Sequence, residues 1–387
     1  MTEKSAGYRK MHSGRYNLDN STAKKYSNTK LLWGIIETSV SFILLFLFLL
    51  LGFSAELEKI LVRSIQNDYL LLLAYAGCIG IAASVIFAPL NYYLGFYLEH
   101  KYNLSTQTFG GWIREGLKET LVGSAIGLPL IMLFFFVLKN FGIDWWIPFA
   151  ILMFIVSVIL AQIVPIIILP IFYKISPIED ENLKERIIKL GKDAGLNVQN
   201  VFKFNMSKNT KKANAAFTGL GKTKRILLGD TLTDNFSNDE IETVIAHELG
   251  HYKKKHIVKN IFIGTVSSFL IFFLIANLHQ VSLSWFGFKY ITQISSLPLL
   301  ILWSGLIGLI QKPAVNYISR KFEYEADLYA VSSTGKKEAF IGTLEKLTEQ
   351  NLGDKEPHPF VEWFFYSHPS IKNRISSIQS STSRLEN

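Results

Sequence analysis

The chain has 387 residues, 49% of them hydrophobic and 18% charged, with 29 Phe and a formal net charge of +9. Soluble domains carry about 25% charged residues, so this composition excludes a disordered, collagenous or highly charged nucleic-acid-binding chain, and no nucleic-acid partner is expected. The single cysteine, Cys78, lies in an apolar run, which excludes an intrachain disulfide and a Cys-based zinc ribbon and leaves any metal site to His and carboxylates.

Residues 1–30 hold seven Lys and Arg against two acids and show no apolar periodicity, which predicts a disordered basic tail. Six stretches then reach the roughly 20 apolar residues that a span requires: Leu31–Phe53, Tyr69–Tyr97, Thr120–Leu138, Trp145–Tyr173, Ile257–Leu278 and Leu297–Ile318. The first four form an amino-terminal membrane module, 31–173. Pro89, Pro165 and Pro170 predict kinks in the second and fourth. Glu37, two turns into the first span, is a candidate for lining a polar cavity, since acids inside membranes are costly.

The first thirty residues, with seven Lys and Arg against two acids, carry a net charge of +5, and the two long polar segments, 174–256 and 319–387, fall on the same side of the membrane as this N-terminus. Lys253–Lys255 marks a boundary where anionic lipid can gather. The positive-inside rule therefore predicts that both termini and both polar segments are cytoplasmic, in an inner membrane for a bacterium or an ER-type membrane for a eukaryote.

Segment 174–256 reads as a small soluble module. Glu179–Ala194 is expected to be helical, and Val198–Asn205 and Lys224–Leu228 are expected to be strands. Ser237 and Glu240 fit a capping box that opens a helix over Ile241–Lys255, running almost directly into the fifth span.

That helix contains His247-Glu248-Leu249-Gly250-His251, an H-E-x-x-H pattern. Two imidazoles four residues apart share a helix face and can grip one Zn²⁺ per chain. Glu248 stands where it can take a proton from a water that the metal acidifies. The bland alternative is a chance match of three fixed residues. A catalytic zinc usually takes a third protein ligand. Beyond the sixth span, in 319–387, Glu323 and Asp327 lie one turn apart, with Glu323 placed to ligate and Asp327 to support a ligand imidazole. An ordinary charged helix face is the competing reading. Glu325 points away from that face and is expected to pair with a Lys or Arg in solvent. His256, five residues after His251 on a continuous helix, is expected to point away from the metal.

Several separated motifs resemble the CAAX prenyl protease 1 family of integral-membrane zinc metalloproteases. They are Tyr102–Gly110, Ile168–Lys174, Lys212–Gly219, His247–His251, Glu323–Asp327 and Ser367-His368-Pro369 with Arg374. The resemblance implies a multi-pass α-helical membrane protein whose spans enclose a chamber, with a small α+β zincin-like module. It implies zinc on His247, His251 and Glu323, and Glu248 as base and then acid. Asn214 would lie on the substrate-facing edge, and His368 and Arg374 would stabilise the oxyanion. The expected substrate is a prenylated or membrane-associated peptide cut near its C-terminus. Family members usually carry seven spans, and the span that normally precedes Leu31 is replaced here by the basic tail.

Two other readings compete. One is a quality-control protease similar to the heat-shock membrane metalloprotease family, which typically lacks the Tyr102–Gly110 type of loop. The other is a non-catalytic transporter or scaffold with a decayed site, against which the intact Glu248 argues. The sequence sets no oligomeric state.

Overall fold

The computed structural model describes residues 20–196, 201–218 and 225–382. The expected tail lies outside these residues up to 19. Residues 20–30, however, are helical and open α1, Asn20–Leu50. The physical reason is tertiary. Ala23 and Tyr26 are buried, and Glu99 draws together Lys30 at 2.6 Å, Lys212 at 2.9 Å and the Tyr26 hydroxyl at 2.5 Å. Glu99 and Lys212 are far from α1 in sequence, so no local pattern announces the contact.

A short helix, α2 (Phe53–Val62), leads to α3 (Asp68–Tyr92), which the Asn67 side chain caps by accepting from the Tyr69 and Leu70 amides. A π turn at Tyr93–Tyr97 carries the helix four residues beyond Pro89. Next come α4 (Phe109–Phe141) and α5 (Trp146–Ile163), with a second π turn at Val164–Ile168 around Pro165.

Among the described residues, five helical runs are long and apolar enough to cross a membrane, against the six expected. The difference lies in one run of 64 residues, Phe109–Phe172. It contains both the third and the fourth expected spans, because the link between them, Gly142–Trp145, is itself a 3-10 turn. Gly142 takes φ 56° there. The chain folds back, and the Phe134 and Phe149 rings meet edge to face at 5.0 Å.

The soluble module starts at β1 (Ile175–Pro177), followed by α6 (Glu181–Asp193), β2 (Val201–Phe204), β3 (Ala215–Thr218) and β4 (Arg225–Gly229). The sheet order is β1-β2-β4-β3, with β2 and β4 parallel and the outer pairs antiparallel. The expected strand residues 198–200 and Lys224 lie outside the described residues. Leu183, Ile187, Leu228 and Ile245 form the module's dry core. The loop after α3 docks the membrane module onto it: Lys211 donates its amide to the Leu104 carbonyl at 2.8 Å, and Thr106 its hydroxyl to Ser207 at 2.7 Å.

The helix carrying H-E-x-x-H, α7, spans Asn238–Lys253 and opens with the expected capping box. The Ser237 amide donates to Glu240 at 2.7 Å, and the Glu240 amide to the Ser237 hydroxyl at 3.3 Å. It does not run on into the fifth span. Lys255 adopts φ 58°, and α8 (His256–Ser282) starts afresh. The 38-residue α9 (Leu297–Thr334) returns beside α7, followed by α10 (Lys337–Gln350), α11 (Pro359–Phe365) and α12 (Ile371–Thr382).

Gly250 sets how closely α7 and α9 approach. A Cβ there would stand 2.9 Å from Ala326 Cα and 3.1 Å from its carbonyl oxygen, both backbone atoms that cannot swing aside. Gly250→Ala gains up to about 1 kcal/mol of helix propensity. Forcing the helices apart costs about 1–3 kcal/mol. The variant is expected to melt at a lower temperature in detergent and to bind metal more weakly; an unchanged melting temperature would contradict the tight crossing.

Candidate metal centre

The approach of α7 and α9 brings His247, His251 and Glu323 together, and their ligand atoms all lie within 4.8 Å of one another. His247 Nε2 is 3.2 Å from His251 Nε2 and 3.4 Å from Glu323 Oε2, while His251 Nε2 is 3.3 Å from Glu323 Oε1. Among the described residues this is the only such group of three or more His, Cys, Asp or Glu side chains.

The outer nitrogens of both rings are engaged. His247 Nδ1 lies 2.9 Å from Asp327, which Arg374 Nε bonds in turn at 2.8 Å. The second oxygen of Asp327 takes a further bond from Arg374 Nη2, making the pair bidentate. His251 Nδ1 lies 2.9 Å from His256 Nδ1, and His256 Nε2 lies 3.0 Å from Glu325. Carboxylates only accept. Asp327 therefore takes the Nδ1 proton of neutral His247. Glu325 takes the Nε2 proton of His256, so that neutral His256 accepts at Nδ1 from His251. Both inner Nε2 atoms are left as bare lone pairs.

Two lone pairs and a carboxylate then converge with no proton between them, which is unfavourable unless a cation or an added proton fills the space. Glu323 Oε2 is buried, and no partner in hydrogen-bond geometry reaches it. His368 Nδ1 lies only 2.9 Å away, but at angles unsuited to a hydrogen bond. Burial lowers the proton affinity of His247, yet the Asp327 and Glu323 carboxylates outweigh it and push the pKa up to about 9. Without a cation, the site takes up a proton. The donor set of two neutral imidazoles and one carboxylate suits a divalent metal, with zinc foremost.

His256 was expected to point away from the metal, and the structure corrects this. The expectation assumed one helix through residue 256. The break at Lys255 resets the angle, and the ring is buried and stacked 4.2 Å from Phe322. Glu325 does face away from the triad and reaches Lys259 at 3.7 Å, as expected, but it also holds His256. His256 and Glu325 are the site residues that sequence reasoning missed.

Glu248 is half-buried and, with His247 and Glu323, lines a cavity of about 500 Å³. Among the described residues, no hydrogen bond or ion pair fixes its carboxylate. The same cavity takes in Asn214, His368 and Arg374. Asn214 is exposed and precedes edge strand β3, its carbonyl accepting from the Gly229 amide at 2.9 Å. His368 is 65% exposed, with Nδ1 against Glu323. Arg374 spends Nε and Nη2 on Asp327, and no hydrogen bond engages Nη1 among the described residues.

Comparison with known proteins agrees with this arrangement. Residues 177–382 match peptidase family M48, and residues 14–174 match the CAAX prenyl protease N-terminal family, described as five membrane helices. CAAX prenyl protease 1 of Saccharomyces cerevisiae is 31% identical over 81% of this chain and 73% of its own length. The metalloprotease YhfN of Bacillus subtilis, whose role is uncharacterised, is 28% identical over 91% of this chain and 84% of its own. The crystal structure of Ste24p from S. mikatae superposes with a TM-score of 0.83 at 28% identity, covering 93% of this chain and 88% of that one. The chain therefore belongs to peptidase family M48, in its CAAX prenyl protease 1 branch, and is an integral-membrane metalloendopeptidase.

Proposed function

We propose that the protein holds one Zn²⁺ on His247, His251 and Glu323, with Asp327 supporting His247. It cleaves prenylated or membrane-associated peptides near their C-terminus, at the cytoplasmic face. The observation that carries this reading is the buried Glu323 carboxylate, whose two oxygens face the lone pairs of His247 and His251 and whose Oε2 has no hydrogen bond, in the wall of a cavity that adjoins the spans.

The metal would supply Lewis acidity, acidifying water and polarising the scissile carbonyl. The protein's own groups do the rest. Glu248, one residue after His247 and unpinned, takes the proton of the attacking water and passes it to the leaving amine. His368 and the free Nη1 of Arg374 donate hydrogen bonds to the oxygen on which negative charge develops. Among the described residues β3 pairs with β4 alone, so its outer edge offers backbone groups to an extended peptide, with Asn214 at its start.

A farnesylated peptide assayed beside its unprenylated twin tests the substrate. The farnesylated peptide is expected to show a KM at least about tenfold lower, since burying its apolar chain gains about 25 cal/mol per Å². Equal cleavage of the two would favour a quality-control role instead.

A further inference from the structure

Glu37 of α1 faces a cavity of about 810 Å³ between α1 and α9. This cavity shares Ser27, Asn351, Gly353 and Tyr366 with the one that holds His247, Glu248 and Glu323, so the two adjoin. Lys312 lines the first as well. It precedes Glu323 by eleven residues on α9, close to three whole turns, and so lies on the same face of that helix as Glu323.

Between them on that face, Asn316 donates to the Phe364 carbonyl at 2.7 Å and Arg320 to the Tyr366 carbonyl at 2.7 Å. These bonds pin α11 against α9. Lys312 has no such bond, and its ammonium stands over the Phe365 ring at 4.7 Å. The other Lys and Arg side chains lining the two cavities are paired, Lys30 with Glu99 and Arg374 with Asp327. Among the described residues, Lys312 is therefore the one Lys or Arg lining these two adjoining cavities that meets no anion, and Glu37 is an acid there with no partner. Ionisable groups at membrane depth are expensive unless something pairs with them.

We propose that Lys312 receives the C-terminal carboxylate of the peptide substrate and that Glu37 accepts a backbone N–H of its last residues. This rests on the reading of the site as a peptidase acting near a C-terminus. The spacing fits. Eleven helical residues rise about 16 Å, and extended peptide covers about 3.4 Å per residue. With the flexible lysine stem reaching back, roughly three to five residues beyond the scissile bond bring the carboxylate to the ammonium. A peptide end brings an anion and an N–H donor together, as this dipolar cavity requires. A lipid phosphate diester without an amino headgroup brings the anion alone.

The test uses the full-length, metal-loaded enzyme and two peptides that differ only in ending as a free acid or an amide. The wild type is expected to show a KM about tenfold lower for the acid. Lys312→Met should raise the KM of the acid to that of the amide and leave the amide unchanged, and Lys312→Arg should keep the preference. Glu37→Ala, which removes the acceptor, should raise the KM of both peptides, since both carry the N–H. Equal kcat/KM for acid and amide in the wild type, or an equal loss on both in Lys312→Met, would overturn the assignment while leaving the peptidase reading intact. If Lys312→Met fails to fold, Lys312→Gln, which keeps a polar stem without the charge, makes the same comparison. Cleavage of neither peptide would sink the peptidase reading, and this inference with it.

Discussion

Glu248→Gln is expected to abolish peptide hydrolysis, with kcat falling by at least about 10²–10⁴-fold, the usual contribution of a positioned proton-transfer group. The substitution keeps the volume and removes only the basicity. Glu248 makes no hydrogen bond or ion pair with His247, His251 or Glu323 among the described residues, so nothing that holds the metal is lost. Atomic spectroscopy of the purified variant should still find one zinc per chain. The pairing of lost turnover with retained metal is what separates a base from a ligand. Undiminished turnover would sink the mechanism; lost metal would make Glu248 part of the binding set.

Much of this centre was legible in the sequence because it depends on helical spacing. His247 and His251 share a face wherever α7 sits, and Glu323 and Asp327 share one on α9. The capping box at Ser237 fixed where α7 begins. What was hidden depends on events that local spacing does not encode. The helix break at Lys255 puts a lysine at positive φ, where glycine is the usual signal. It turned His256 from a bystander into the residue behind His251. Helix α1 extends back to residue 20 because Tyr26 and Lys30 meet Glu99 and Lys212 from far along the chain. The two middle spans merged into one helical run because their tight link is itself helical. Only at α1 did tertiary packing outweigh the local pattern; the other two turn on short links whose backbone geometry the spacing does not encode.

The second large effect is expected at Glu323, and the residue two positions on supplies its control. Glu323→Ala removes the only anionic member of the triad and leaves two imidazoles, so the protein should lose its zinc to a mild chelator. The loss in affinity should exceed the about 10–100-fold typical of deleting a supporting hydrogen bond. Sequence spacing alone makes Glu325 irrelevant to the metal, because it lies on the opposite face of α9. The structure predicts an intermediate result. Glu325 holds His256 at 3.0 Å, and His256 accepts from His251 at 2.9 Å, which keeps the lone pair of His251 aimed at the triad. Glu325→Ala should therefore weaken zinc by about 10–100-fold without abolishing binding. Glu325→Gln, whose amide oxygen still accepts from His256, should recover most of that loss. Chelator competition on the intact protein measures all three affinities without recourse to activity. Affinities in Glu325→Ala equal to wild type would show that His251 needs no support from behind. Normal zinc content in Glu323→Ala would remove Glu323 from the ligand set, and the lone pairs of His247 and His251 would then need a different third partner.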